Sequence, residues 1–401
     1  MSILKSDALN YHLQPKPGKI GLEVTKPITN QYELTLAYSP GVAEPVLAIA
    51  EDSENAYKYT SKGNLVGVIT NGTAILGLGN LGALASKPVM EGKAALFKIL
   101  ADVDAFDIEV NENNPQKFIE IVTAIAPTFG AINLEDIKAP ECFEIEAGLQ
   151  NIGIPVIHDD QHGTAIVLAA GLLNACSVQD CAIDTAKVVI YGAGAAAIAS
   201  IDLLTELGFK LENIITIDSK GVINTKRQDL NIYKQKIAND CQANTVQEAA
   251  VNANILIDLS GAAINEPKTV MQNMAANPIM FLLSNPTPAI AIELVATERP
   301  DALIATGRSD LPNQINNAVC FPFLFKGALK AKAKNMTMAM KIAAVHAIRE
   351  LAKQPIPDYI KAEYSLKHDI KFGQEYIIPK PTDKRLNTVV TDAVANAANQ
   401  N

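Results

Sequence analysis

Four carboxylates fall in two adjacent pairs, Glu135-Asp136 and Asp159-Asp160, each directly after a short apolar run. Those runs, Gly130–Leu134 and Ile154–His158, read as buried strands of a parallel sheet. Ligands of such sheets sit outside the carboxyl ends of the strands, so the four acids are expected to converge. Neighbours within a strand point to opposite faces. A pair can therefore share one cation only where the strand gives way to a loop, and the pairs are expected there. Carboxylates without cysteine describe a hard site for Mg²⁺ or Mn²⁺ rather than zinc. Acids also favour solvated loop ends, and spacing alone does not choose. His158 and His162 flank the second pair, and supporting roles rather than ligation are expected of both.

Two other residues have the chemistry of a base and an acid. Lys93 opens the apolar stretch Ala94–Leu100. Small and apolar neighbours should desolvate it and lower its pKa, and a nearby divalent cation should lower it further, which makes the amine available as a base. Tyr38 lies in Ala37-Tyr38-Ser39-Pro40-Gly41, a turn sequence that can hold a phenol rigidly. Taken singly, each has an ordinary reading, as a helix-surface charge and as a half-buried ring.

A third feature is a glycine loop. The strand Lys187–Tyr191 runs into Gly192-Ala193-Gly194-Ala195-Ala196-Ala197 and then an apolar helix, a GxGxxA pattern in a βαβ context. Gly192 permits the tight turn, Gly194 the approach of a pyrophosphate, and Ala197 close helix–sheet packing. The helix N-terminus, from Ala195, offers free N–H groups to the diphosphate. The next strand ends in Asp218, 26 residues beyond Gly192. An acid there can accept hydrogen bonds from the adenosine ribose and would repel a 2′-phosphate, which favours NAD. Lys220, Lys226 and Arg227 follow closely, so NADP stays open.

These groups need scaffolds, and the chain supplies them. Strand-like runs at Leu65–Thr70, Ala105–Val110, Gly130–Leu134, Ile154–His158, Lys187–Tyr191, Asn213–Ile217, Ile255–Leu259, Ile279–Leu283 and Ala302–Thr306 alternate with helical stretches. The helices include Glu91–Ala101, Pro115–Ala126, Gly163–Ala175 and Ala195–Gly208. This alternation predicts an α/β fold with parallel sheets covered by helices. The division is expected near residue 160: a first domain over 1–160, a dinucleotide domain over 161–355, and a helical or irregular tail over 356–401 that packs back on the first part. Lys326, Lys330, Lys332, Lys334 and Lys341 are expected to form a solvated helix face.

The 401 residues carry a net charge of −9, which argues against nucleic acid or an anionic membrane as the main partner. Apolar content of 48% with 19% charged residues supports large cores. No apolar run approaches the length of a bilayer crossing, and the opening residues lack a signal-peptide pattern. Five cysteines without a CxxC pair argue against a disulfide scaffold or zinc knuckle. This is the profile of a cytoplasmic enzyme.

Longer segments resemble the malic enzymes, specifically the shorter bacterial kind. They are TKP (Thr25–Pro27), LAYSPGVAEP (Leu36–Pro45), YTSKGNLVGVITNGTAILGLGNLG (Tyr59–Gly82), KPVMEGKAALFK (Lys87–Lys98) and PTFGAINLEDIKAPECFEIE (Pro127–Glu146). IPVIHDDQHGTAIV (Ile154–Val167), LLSNPTP (Leu282–Pro288) and ATGRSDLPNQINNAVCFPFLFKGAL (Ala305–Leu329) follow. The resemblance covers roughly residues 10–355 in the expected order. It implies an N-terminal α/β domain for malate and metal, a Rossmann-type doubly wound NAD(P) domain, and oxidative decarboxylation of L-malate to pyruvate and CO₂ with Mg²⁺ or Mn²⁺. It makes Glu135, Asp136 and Asp160 the metal ligands, Lys93 the base, Asp159 its orienting partner and Tyr38 the acid. Asn285 and Asn317 grip substrate carboxylates, with Asn285 also beside the cofactor.

Two departures matter. Longer members have an arginine where this chain has Thr73-Ala74, and Arg308 is the candidate to replace its charge. Some bacterial members append a phosphotransacetylase-like domain, which this chain is expected to lack. The family suggests a homodimer or larger homo-oligomer. A malolactic reaction giving lactate, a catalytically inactive nucleotide-binding sensor, and a dehydrogenase of another acid are the competing readings.

Overall fold

A computed structural model describes residues 5–75, 78–284, 287–367 and 369–400. Among them, two sheets hold ten strands. The first has the order β2-β1-β3-β4 and is wholly parallel, built from β1 (Leu65–Thr70), β2 (Asp104–Glu109), β3 (Ala131–Leu134) and β4 (Val156–His158). The second is ordered β10-β9-β8-β5-β6-β7. Its strands are β5 (Val188–Tyr191), β6 (Ile214–Asp218), β7 (Gly221–Val222), β8 (Ile255–Asp258), β9 (Ile279–Leu282) and β10 (Leu303–Thr306), parallel except for the β6–β7 pair. Nine strands lie where the apolar runs predict them. β7 is a two-residue return hairpin, too short to leave an alternating pattern.

The chain opens with three helices, α1 (Lys5–Leu13), α2 (Gln31–Ala37) and α3 (Ala43–Glu51), which bury no residue. The segment exposes Leu9, Tyr11, Leu22, Val24, Tyr32 and Leu47. Then α4 (Ala83–Ala101) starts well before the expected Glu91, with Pro88 inside it. Ala83, Ser86, Met90, Ala94, Phe97 and Ala101 recur at helical spacing and are buried. That buried stripe outweighs one missing backbone hydrogen bond. The helix α5 (Pro115–Ile125) is opened by Asn114, whose side chain accepts from the Lys117 N–H, and α6 is Glu141–Leu149.

The central helix, α7 (Asp159–Val178), follows β4 with no intervening loop. Asp159 and Asp160 therefore occupy its first turn rather than the expected loop, a correction with a simple cause: acids there face the positive end of the helix dipole. α7 is buried almost all round, between α8 (Ala195–Glu206) and α11 (Met338–Ala352), as its uniformly small and apolar composition requires. A short helix, α9 (Ile232–Lys236), follows β7.

The chain then returns to the first half. α10 (Phe321–Lys330) packs on α4 and β3, and α12 (Arg385–Ala398) packs on α10 and α11. Of the five lysines expected to line a solvated face, Lys330, Lys332 and Lys334 are exposed. Lys326 is instead partly buried and donates to Asn387 Oδ1, and Lys341 reaches inward to His162. No helix among the described residues is long and apolar enough to cross a membrane.

Candidate active site

Strand ends and helix starts bring the first set of chemical groups together. Lys93, on α4, places Nζ 2.5 Å from Asp159 Oδ2 and 2.9 Å from Glu135 Oε1, and 4.0 Å above the Phe321 ring centroid. Its side chain is one-tenth exposed. Burial alone pulls the Lys93 pKa down, as the sequence suggested, but the charges of Asp159, Glu135 and Asp160 more than reverse it and hold the ammonium charged. The expected depression is thus corrected: desolvation is present, and the acids outweigh it. Burial and the neighbouring acids push Glu135 well above the usual carboxylate range, against the pull of Lys93. Asn133 Nδ2 donates to Glu135 Oε2 at 2.8 Å.

The two strand-end pairs are joined directly. The Asp136 N–H donates to Asp160 Oδ2 at 2.8 Å, with Asp136 in the left-handed region at φ 52°. Asn317, from the turn preceding α10, donates Nδ2 to Asp159 Oδ2 at 2.9 Å and accepts from Thr164 Oγ1 at 3.2 Å. Gly163 makes this possible, because a Cβ there would collide with Asp159 Oδ1. His158 is fully buried, neither ring nitrogen has a hydrogen-bond partner, and burial holds it neutral. Glu146 accepts from the His158 N–H at 3.1 Å and pairs with His162 Nε2 at 2.9 Å. Sequence reasoning missed Glu146 and Gly163, although both lie in quoted segments.

Four carboxylates around one ammonium leave excess negative charge in a largely buried place, and hard oxygen donors suit a divalent cation. As they stand, no three His, Cys, Asp or Glu side chains among the described residues are gathered closely enough to hold a metal. The donor chemistry fits; the donors are partly engaged by Lys93.

Other expected site residues lie apart. Tyr38 caps the C-terminal end of α2 and is 74% exposed, and among the described residues no side-chain hydrogen bond joins it to the Lys93 cluster. Arg308 is committed to Asp310, at 2.6 and 2.9 Å, on an exposed loop. Asn285 lies outside the described residues.

The glycine loop has the expected form. Gly192 turns at φ 118°, and a Cβ there would meet the Leu259 carbonyl carbon at 2.6 Å, so only glycine fits. Gly194 is the N-cap of α8, with open space above it, Ala195 is the first helical residue, and Ala197 is fully buried. At the end of β8, fully buried Asp258 accepts from Ser260, Ser284 Oγ (2.8 Å) and the Ala289 N–H (2.8 Å), tying two loops beside the glycines. The sequence reading passed through Asp258 as part of a strand.

Asp218 departs from expectation. Arg227 Nη1 and Nη2 grip its two oxygens at 2.8 and 3.2 Å, Lys234 Nζ lies 2.6 Å away, and the Lys220 N–H donates at 2.9 Å. Despite its burial, these partners hold the carboxyl down at about 2. The acid is an anchor for cations rather than an unopposed charge facing a ribose.

Comparison with known proteins now decides the family. The family model "Malic enzyme, N-terminal domain" matches residues 17–117 and 110–150, and "Malic enzyme, NAD binding domain" matches 161–361. The chain belongs to the malic enzymes. It is 52% identical to the NADP-dependent malic enzyme of Halomonas elongata, over 98% of this chain and 92% of that one. It is also 52% identical to the NADP-dependent malic enzyme of Rhizobium meliloti, over 99% of this chain but 52% of the relative, so it spans about half the length of that protein. Among solved structures, the NAD-dependent malic enzyme of Thermotoga maritima superposes with a TM-score of 0.87 at 38% identity, covering 97% of this chain and 99% of that one. The malic-enzyme family thus accounts for both sheets, for the NAD(P)-binding fold of the second, and for the helical C-terminal region.

Proposed function

We propose that the chain oxidises L-malate and decarboxylates the product to pyruvate and CO₂, reducing NADP⁺. The observation that carries this reading is the Lys93 ammonium held between Asp159 and Glu135, on elements packed beside the dinucleotide half. Glu135, Asp136 and Asp160 would hold Mg²⁺ or Mn²⁺, which when bound supplies Lewis acidity for loss of the C4 carboxylate. With Glu135, Asp136 and Asp160 engaged by the cation, the charges that keep Lys93 protonated would be offset, and Lys93 as the neutral amine takes the C2 hydroxyl proton as hydride leaves C2 for the nicotinamide. Asp159 and Asn317 fix its amine through the contacts at 2.5 and 2.9 Å. Tyr38 protonates C3 of the resulting enol. Asn285 and Asn317 hold the substrate carboxylates by donating amides that add no charge.

The exposed apolar residues of α1–α3 and the exposure of Tyr38 support a homodimer in which this segment is covered and the phenol is carried to a neighbouring Lys93 cluster. We read residues 1–160 as the catalytic part, 161–355 as the dinucleotide part and 356–401 as the tail. We read the chain as a cytoplasmic enzyme; no helix among the described residues is long and apolar enough to cross a membrane.

The cofactor preference rests on Asp218. With Arg227, Lys234 and Lys220 around it, this corner carries three cations against Asp218 and Asp229, a balance that welcomes a 2′-phosphate. Two relatives that match nearly all of this chain are named for NADP. The test is steady-state assay with malate and Mn²⁺ against each cofactor. Reduced NADP and pyruvate are expected; lactate without net reduced cofactor would reverse the assignment, and a preference for NAD would reverse the cofactor.

A further inference from the structure

We infer that a cleft on the other side of α7 is a second small-molecule site, built for a short hydroxy or amino acid. At 3.6 residues per turn, Gly163 returns to within about 40° of Asp159, whereas Gln161 lies about 200° round from it and His162 about 60° to the other side. They open onto a separate cavity of about 260 Å³ between α6, α7, α8, α9 and α11.

Its lining sets one buried amide donor without an acceptor beside two ammonium groups and one carboxylate. Lys341 enters from α11, and its Nζ meets the His162 ring, 3.0 Å from Nδ1, with no carboxylate in ion-pair range among the described residues. Glu146, engaged by His162 and the His158 N–H, acts on Lys341 only from beyond ion-pair distance. Gln161 is 3% exposed and its Nε2 has no hydrogen-bond partner. Lys236 adds a second ammonium. Opposite, Asp202 on α8 is exposed at the cleft and makes no side-chain hydrogen bond or ion pair among the described residues; partial burial raises its pKa against the pull of Lys236, His162 and Lys341. A buried amide left without a partner is costly, so Gln161 facing a cavity lined by two ammonium groups and a carboxylate points to a ligand that completes it.

The complement is specific. A carboxylate satisfies Lys341 and Gln161, and an amino or hydroxyl donor a few bonds away satisfies Asp202. The rings of Phe143 and Tyr233, 4.3 Å apart, wall one side and suit a short carbon chain. The volume takes an acid of about three or four carbons.

The test is calorimetric titration of the intact protein with L-lactate, L-alanine and propionate, with the metal cluster filled by Mg²⁺ and oxalate and no nicotinamide present. Lactate or alanine should bind once per chain, about tenfold or more tighter than propionate, which lacks the donor. Lys341→Met and Asp202→Asn should each weaken binding about tenfold, and Lys341→Arg should retain it. Silence from all three acids, equal binding of propionate, or unchanged binding in both weakened variants would overturn the site. Malate turnover is assayed separately on the same preparation, so failure here leaves the catalytic reading untouched, and the converse.

Discussion

Lys93 Nζ and Asp159 Oδ2 meet at 2.5 Å across 66 residues of sequence. The lysine comes from the helix between β1 and β2, and the aspartate from the first turn after β4. Neither side chain would stay in this place alone. An unpaired ammonium or carboxylate this deeply buried costs several kcal/mol, so the pair locates both groups with little freedom.

Replacing the base tests the chemistry most directly. Lys93→Met should lower kcat by about 10²- to 10⁴-fold and leave cofactor binding, followed by fluorescence titration, within about twofold of the parent. A kcat near the parent's would remove Lys93 from the role.

The metal assignment has its own readout. Asp160→Asn takes away one negative oxygen donor while keeping an acceptor for the Asp136 N–H. Mn²⁺ affinity, read by titration without substrate, should fall about tenfold or more. An unchanged titration would exclude Asp160 as a ligand.

Cofactor choice should respond to the cations around Asp218. Arg227→Ala should reduce kcat/KM for NADP by about tenfold or more and that for NAD far less, because a charged contact to the phosphate is removed. Equal losses with both cofactors would mean that Arg227 only braces the loop through Asp218 and Asp229.

A pH-linked stability effect is expected at the sheet edge. Burial and the adjacent Asp107 push Glu109 up to about 7, while Lys87, 2.6 Å from Asp107 Oδ2, pulls the other way. The folded state holds this proton more tightly than the unfolded state. Its stabilising contribution is therefore complete below about pH 4 and is lost as pH rises to about 7. Glu109→Gln, a permanently neutral mimic, should gain Tm relative to the parent between pH 4.5 and 8. A pH-independent difference would refute the assignment.

The strands were legible because apolar β-branched runs such as Val66–Thr70 have no other economical reading, and the glycine loop because Gly192 admits no side chain. The start of α7 was not. His158-Asp159-Asp160-Gln161-His162-Gly163 has the composition of a turn, and only the join to β4 and the dipole of a long helix reveal it as a first turn. Asp218 and Arg227 were both named, but Lys234 was not: it comes from the short helix α9, beyond an irregular stretch whose spacing has no period to read. Lys341 looked like one of several surface lysines; its inward path depends on α11 lying against α7, a long-range packing that local pattern does not encode.

The family models leave residues 151–160 between them, and the acids that open α7 stand at the end of that gap. A chain severed at that seam would strand Lys93 and Glu135 on one fragment, and Asp159, Asp160 and Asn317 on the other. The second fragment would carry its two acids without their ammonium, while the first would keep Lys93 paired with Glu135 alone. Only fragments that re-associate could rebuild the centre, which makes restored turnover on mixing a direct gauge of how firmly the two halves grip.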